Sequence, residues 1–139
     1  MLIGFTNGCF DLFHPGHKHF LMTCRQMCEY LIVAVNSDKS VKLLKGDTRP
    51  YDPLHKRMRE VNIYAQAVIP FDGYEEGLIV HIKPNILFKG YDHGTDCTRG
   101  TSQVANGIGC AIVQISHLPG WSTTLEAESH AQALQSLLP

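Results

Sequence analysis

This sequence has no apolar run approaching the ~18 residues that a helix needs to cross a bilayer. Its N-terminus lacks a basic segment followed by a long apolar stretch and a cleavage site, so a cytoplasmic protein is expected. An excess of one charge is missing too: 12 Lys and Arg stand against 13 Asp and Glu, a formal net charge of -1. No broad basic field therefore advertises nucleic acid or an anionic membrane as a partner. The five cysteines, at positions 9, 24, 28, 97 and 110, are an odd set without disulfide-framework spacing, which fits a reducing compartment. Cys24 and Cys28 could share a helical face as metal ligands, but no second pair or nearby His completes a site, and buried packing is the favoured reading. Repeats, low-complexity segments and linkers are absent as well. A single domain over 1–139 is expected, with 44% hydrophobic content and enough chain for a real core.

What is present is an alternation. "LIGF" (Leu2 to Phe5) and "LIVAV" (Leu31 to Val35) are apolar runs without polar alternation, the mark of strands buried on both faces. Between them Phe20, Leu21, Cys24, Met27, Cys28 and Leu31 recur at helical spacing, which predicts a helix from about Pro15 to Tyr30. "DPLHKRMREVNIYA" then reads as a helix with Asp52 as N-cap and Pro53 at its first position, and "AVIPF" (Ala67 to Phe71) as a strand. "YEEGLIVHIKP" reads as a short helix stopped by Pro84, "NILFKG" and "CAIVQI" (Cys110 to Ile115) as strands, and a last helix is expected from about Thr123. The expected fold is α/β: a Rossmann-like three-layer sandwich with a mostly parallel sheet and right-handed crossovers.

Ligands of such sheets sit beyond the carboxyl ends of the strands, near the point where strand order reverses. Four segments fall there: "TNGCFDLFHPGH", "NSDKSVKLLKGDTRP", "KGYDHGTDCTRGT" and "SHLPGWSTT". The first has no GxGxxG, so an NAD-binding reading is disfavoured. It has Asn7-Gly8, a turn that lets backbone approach a ligand, and His14-Pro15-Gly16-His17 at a helix start. Proline suits a first helical turn, and that turn carries free N–H groups and a positive dipole end. Two imidazoles flanking it offer further N–H donors to phosphate oxygens, His17 feeling the dipole most directly.

"TNGCFDLFHPGH" resembles the HxGH signature of the nucleotidyltransferase superfamily that includes glycerol-3-phosphate cytidylyltransferase and the class I aminoacyl-tRNA synthetases. "AVNSDKSVKLLKGDTRPYDPLHKRM" is similar to the pattern VNxDxSxxxLKGxxRPxxPLxxR of the heptose-1-phosphate adenylyltransferase domain of bifunctional ADP-heptose synthases. "LFKGYD" and "GWSTT" fall where that group has its KGxDY-like and GxSTT segments. The resemblance covers nearly the whole chain and places it in the cytidylyltransferase-like branch, closest to the heptose group. It implies that a sugar phosphate attacks the α-phosphorus of a nucleoside triphosphate, ATP favoured, and expels pyrophosphate, with Mg²⁺ as helper. A CTP-dependent enzyme acting on glycerol 3-phosphate is the alternative, and a nucleotide-binding module without turnover is the reading from another class.

By position the resemblance makes His14, His17 and Lys45 the catalytic candidates, with Lys42 a second candidate for the lysine that reaches the phosphates. Thr6, Asn7, Gly8, Cys9, Phe10, Gly16, Asp92, Ser122, Thr123 and Thr124 would line the nucleotide. Lys42, Asp11 and Arg57 would serve the substrate; Asp11 could instead orient its loop or contact a metal, and Arg57 could be a solvated helix residue. No metal ligands are assigned. The sequence departs from the heptose group at Gly90-Tyr91-Asp92 for GGD, at Pro119 for an acidic residue, at Trp121, and through "HGTDCTRGTSQVANGIG". These departures touch the base and acceptor pockets. The resemblance also implies a homodimer, for which Met22 and Tyr30 are candidate surface, and a separate upstream sugar kinase, since the kinase domain of the bifunctional enzymes is absent from this sequence.

Overall fold

The computed structural model describes residues 1–73, 75–90, 99–116 and 118–120. Five strands, β1 (Ile3–Gly8), β2 (Tyr30–Asn36), β3 (Ala67–Phe71), β4 (Ile86–Gly90) and β5 (Ala111–Ile115), form one all-parallel sheet in the order β3-β2-β1-β4-β5. The helices are α1 (Pro15–Gln26), α2 (Asp38–Lys45), α3 (Leu54–Asn62), α4 (Glu76–Ile82) and α5 (Arg99–Gly107). Strand order runs outward one way from β1 to β3, then restarts on the other side of β1, so helices joined by crossovers of one hand must lie on opposite faces.

The two cores follow that rule. Leu21 and Cys24 of α1 and Val61 of α3 pack with Leu31, Val33, Val35 and Phe88 on one face. Ile79 of α4 and Ala105 of α5 pack with Phe5, Ala34 and Leu87 on the other. Alternate residues of β2 thus serve opposite cores, as the unbroken apolar run requires. β3 is an edge strand, and that position tolerates Pro70, which has no N–H to give a second neighbour. No helix among the described residues is long and apolar enough to cross a membrane.

Several boundaries differ from the sequence reading. α1 stops at Gln26 and Tyr30, whose N–H donates to Leu2 O at 3.2 Å, opens β2. A β-carbon at Gly4 would lie 2.8 Å from the Cys28 Sγ and 2.5 Å from the Phe88 ring, so glycine is what admits that packing. Cys24 is fully buried in the core, as the packing reading had it. Asp52 does not cap α3: Pro53 occupies that position without a side-chain cap bond, and the Asp52 carboxylate instead receives Lys56 Nζ at 3.2 Å. α2 and α5 are helices where no helix was expected. The expected helix from Thr123 lies outside the described residues.

Glu60 Oε2 is buried without a hydrogen-bond partner, and burial raises the carboxyl's pKa against the opposing pull of Lys56. A raised carboxylate opposes folding above its folded pKa, and that penalty fades as pH falls through it. Glu60→Gln is therefore expected to raise Tm at pH 7, with the difference shrinking in scans toward pH 4. A variant no more stable than the parent at pH 7 would refute this.

Candidate functional site at the carboxyl edge of the sheet

The strand-order reversal lies between β1 and β4, and these two strands separate there. They pair at Gly4 with Ile86 and Phe5 with Leu87, while β1 stays paired with β2 out to Gly8 and β4 with β5 out to Gly90. Side chains span the split. Thr6 Oγ1 donates to Phe88 O at 3.0 Å, and Lys89 Nζ donates to Asn7 Oδ1 at 3.0 Å. The result is a crevice at the carboxyl edge, where ligands of such sheets bind.

The loop leaving β1 is held in a costly conformation. Phe10 has φ 52° and Leu12 φ 46°, left-handed values that cost a non-glycine residue about 1–2 kcal/mol. Asp11, between them, supplies the compensation. Its buried carboxylate accepts from Leu12 N at 3.1 Å, Tyr51 N at 2.8 Å, Asp52 N at 2.9 Å and Arg49 Nε at 2.9 Å. The Phe10 ring lies over Gly8, where a β-carbon would sit 3.0 Å from it. Asp11 thus holds its loop to the segment before α3.

The two histidines form a reciprocal cap on α1. His14 is the N-cap and is buried; its Nδ1 accepts from Gly16 N at 3.1 Å, while His17 Nδ1 accepts from His14 N at 3.3 Å. An accepting Nδ1 is unprotonated, so the hydrogen-bond pattern assigns the proton of each neutral ring to Nε2. The rings stack 3.8 Å apart at 19°. His17 also meets Phe10 edge-on at 5.5 Å and Phe13 at 5.4 Å, and Phe13 stacks on Tyr64 of the α3–β3 connection at 5.6 Å. No acidic residue occupies the first turn of α1, so the positive end of the helix is unneutralised from within that turn. N–H donors held in fixed rotamers at such an end suit an anion.

Arg57 lies beneath this loop and is fully buried, not solvated. Its guanidinium donates to Asp52 O at 2.9 Å, Cys9 O and Asn36 O at 2.8 Å each, and Asp38 Oδ1 at 2.7 Å. Arg57 therefore joins α3, the β1 loop, the end of β2 and the start of α2, and its reach toward a substrate runs through those segments. The Cys9 thiol, 3.8 Å from Asn36 Oδ1, has its pKa raised by burial, and Lys45, Arg57 and Arg49 partly offset that rise. Lys45 is the largest of these positive influences, so its charge is felt in the first loop.

The two lysines of α2 have different surroundings. Lys42 Nζ donates to Arg49 O at 3.1 Å and ties down the segment after α2. Lys45, at the exposed end of the helix, makes no hydrogen bond or ion pair among the described residues. Thr6, Asn7, Gly8, Cys9, Phe10 and Gly16 gather at one end of the molecule with His14 and His17. Asp92, Ser122, Thr123 and Thr124 lie outside the described residues.

The opposite wall of the crevice was not anticipated. Lys89 Nζ lies 2.7 Å from both oxygens of Glu75, the N-cap residue of α4, and Thr101 Oγ1 of α5 donates to Glu75 Oε1 at 2.9 Å. A lysine in the otherwise apolar "ILF" strand run was the available signal. Among the described residues no group of three or more His, Cys, Asp or Glu is placed to hold a metal. The Asp11, Asp38, Asp52 and Glu75 carboxylates all bind protein donors.

The profile of the cytidylyltransferase-like family matches residues 5–131. A bifunctional protein HldE of Rhodopseudomonas palustris is 44% identical over 126 residues, and one of Acidiphilium cryptum 42% over 125, in each case 88% of this chain. The chain spans about a quarter of the length of these curated relatives. Among solved structures, a lipopolysaccharide core biosynthesis protein of Thermoplasma volcanium superposes with TM-score 0.74 at 26% identity, covering 85% of this chain and 98% of that one. Pantothenate synthetase of Thermus thermophilus shares the fold at TM-score 0.62 and 12% identity, covering 96% of this chain and 65% of that one. With a crevice at the strand-order reversal, a histidine pair capping the helix beside it and a profile match over nearly its whole length, the chain belongs to the cytidylyltransferase-like family of nucleotidyltransferases.

Proposed function

We propose that this chain transfers the adenylyl group of ATP to a sugar 1-phosphate of the heptose class. An oxygen of the sugar phosphate forms a bond to the α-phosphorus. The bond from that phosphorus to the oxygen bridging toward the β-phosphate breaks, and pyrophosphate leaves with its electron pair. No covalent enzyme intermediate is needed, so the protein's contribution is alignment and neutralisation of charge.

The observation that carries this reading is the reciprocal cap. It fixes both imidazoles at the start of α1, at the positive end of the helix that follows β1, on the carboxyl edge where β1 and β4 part. His14 and His17 stabilise the charge that builds on the α-phosphate, and Lys45 meets the β- and γ-phosphates. Mg²⁺ enters as the counter-ion of the triphosphate, a part of the substrate; none of these steps is routed through it.

ATP and a heptose are favoured because the likeness to the heptose group runs through the whole "AVNSDKSVKLLKGDTRPYDPLHKRM" segment, and because the curated relatives are bifunctional HldE proteins. The departures at Tyr91, Pro119 and Trp121 favour keeping CTP with glycerol 3-phosphate as the second reading. Pyrophosphate release with Mg²⁺, crossing four nucleoside triphosphates against heptose 1-phosphate, other sugar 1-phosphates and glycerol 3-phosphate, separates them. Productive use of CTP alone would overturn the adenylyl assignment. Nucleotide binding without turnover on any acceptor would indicate a silent module.

Lys45→Ala is expected to raise the KM for triphosphate by roughly tenfold, the loss of one charge-assisted contact. Lys42→Ala should instead act mainly on stability through the segment ending at Arg49. An unchanged triphosphate KM in Lys45→Ala, with a raised one in Lys42→Ala, would exchange their roles.

A further inference from the structure

Near the end of β1, where that strand leads into the histidine loop, an amide has its orientation fixed by a lysine of β4. An ammonium only donates, so the atom of Asn7 that Lys89 Nζ meets at 3.0 Å must be the carbonyl oxygen Oδ1. Lys89 is in turn held by both oxygens of Glu75 at 2.7 Å, and Lys89 and Glu75 side chains are each only 13% exposed. Thr101, fully buried, donates to the same carboxylate. With Oδ1 fixed in this way, the Asn7 Nδ2 faces away from Lys89, and it has no partner among the described residues. Asn7 is the next-to-last residue of β1, in the stretch where β1 has parted from β4.

We propose that Lys89, anchored by Glu75, is a positioning residue that sets the Asn7 amide so that Nδ2 donates to a phosphate oxygen in the β1–β4 crevice. This rests on the nucleotidyl-transfer reading and adds to it a side-chain donor near the end of β1, set from β4. The geometry is economical because a free asparagine amide presents either its donor or its acceptor, and an acceptor would repel a phosphate oxygen. Lys89 removes that ambiguity without contacting the ligand. Glu75 balances the ammonium, so the wall offers a directed N–H with little added net charge. The phosphate is that of the nucleotide or that of the acceptor, which share this chemistry.

The decisive variant is Asn7→Asp, nearly isosteric and still an acceptor for Lys89 but without the Nδ2 donor. Calorimetric titration with Mg²⁺–ATP and with heptose 1-phosphate should show one of them bound about ten- to a hundredfold more weakly than by the parent, with Tm little changed. The affected ligand identifies whose phosphate Asn7 meets. Lys89→Met, made with Glu75→Gln to avoid an unpaired carboxylate, should weaken the same ligand, and adding Asn7→Asp to it should cost little more, since both changes remove one contact. Lys89→Arg should restore part of the affinity.

Parent-like binding of both ligands by Asn7→Asp would overturn the inference and leave the nucleotidyl-transfer reading intact. Fully additive losses would overturn the positioning role of Lys89. If the Lys89 variant fails to fold, the Asn7→Asp titrations decide alone. A parent protein that binds neither ligand would overturn the function reading and this inference together.

Discussion

His17→Ala is expected to lower the rate of pyrophosphate release by on the order of a hundredfold or more, the usual consequence of losing a preorganised donor at developing charge. The same change removes the Nδ1 that accepts from His14 N, so it also loosens the start of α1 by about 1 kcal/mol, as loss of a cap does. The two effects are separable. His17→Gln places the residue commonly found at this position of a capping box, whose side-chain oxygen can accept from the N-cap backbone, but it has no imidazole Nε2. Thermal unfolding of His17→Gln should approach that of the parent while its turnover stays near that of His17→Ala. Parent-like turnover in the glutamine variant would remove the imidazole from the mechanism and leave His17 a cap alone.

Arg57→Met is expected to cost about 3–5 kcal/mol of folding stability, the range for breaking a buried charged network by removing one partner. Three backbone carbonyls, of Cys9, Asn36 and Asp52, would lose their donor in the interior, and Asp38 its ion-pair partner. Against a total of about 5–15 kcal/mol, that is enough to lower the denaturant midpoint far below the parent's. Arg57→Lys should recover only part of the loss, because one ammonium on a flexible stem cannot reproduce a planar fork that meets four acceptors. Chemical denaturation of both variants checks this. A loss below about 1 kcal/mol in Arg57→Met would mean that water satisfies the carbonyls and that the hub role is overstated.

The elements legible in the sequence are those whose burial leaves a periodic trace. β1, β2 and β4 are short apolar runs buried inside the sheet, β3 and β5 are apolar runs at its edges, and α1, α3 and α4 carry apolar residues at helical spacing. α2 left little trace because only Ser40 and Val41 of its eight residues are buried, while Leu43 and Leu44 are exposed. α5, "RGTSQVANG", is weak in helix propensity; Thr101 and Ala105, buried beside α4, are what the fold uses to hold it. Propensity is a weak prior, and tertiary contacts outweighed it at both places.

The sequence by itself determined the family and the type of fold: a helix start with two histidines, a lysine-bearing segment, and the alternation that makes a parallel sheet. Those depend on residue type and spacing along the chain, which a single sequence records. Only the tertiary structure decided that β4 lies beside β1 and parts from it, that Asp11 and Arg57 face inward as hubs, and that Lys89, held by Glu75, meets Asn7 from 82 residues away. These depend on contacts between residues distant in sequence, and one chain carries no record of which of its polar side chains will be buried together.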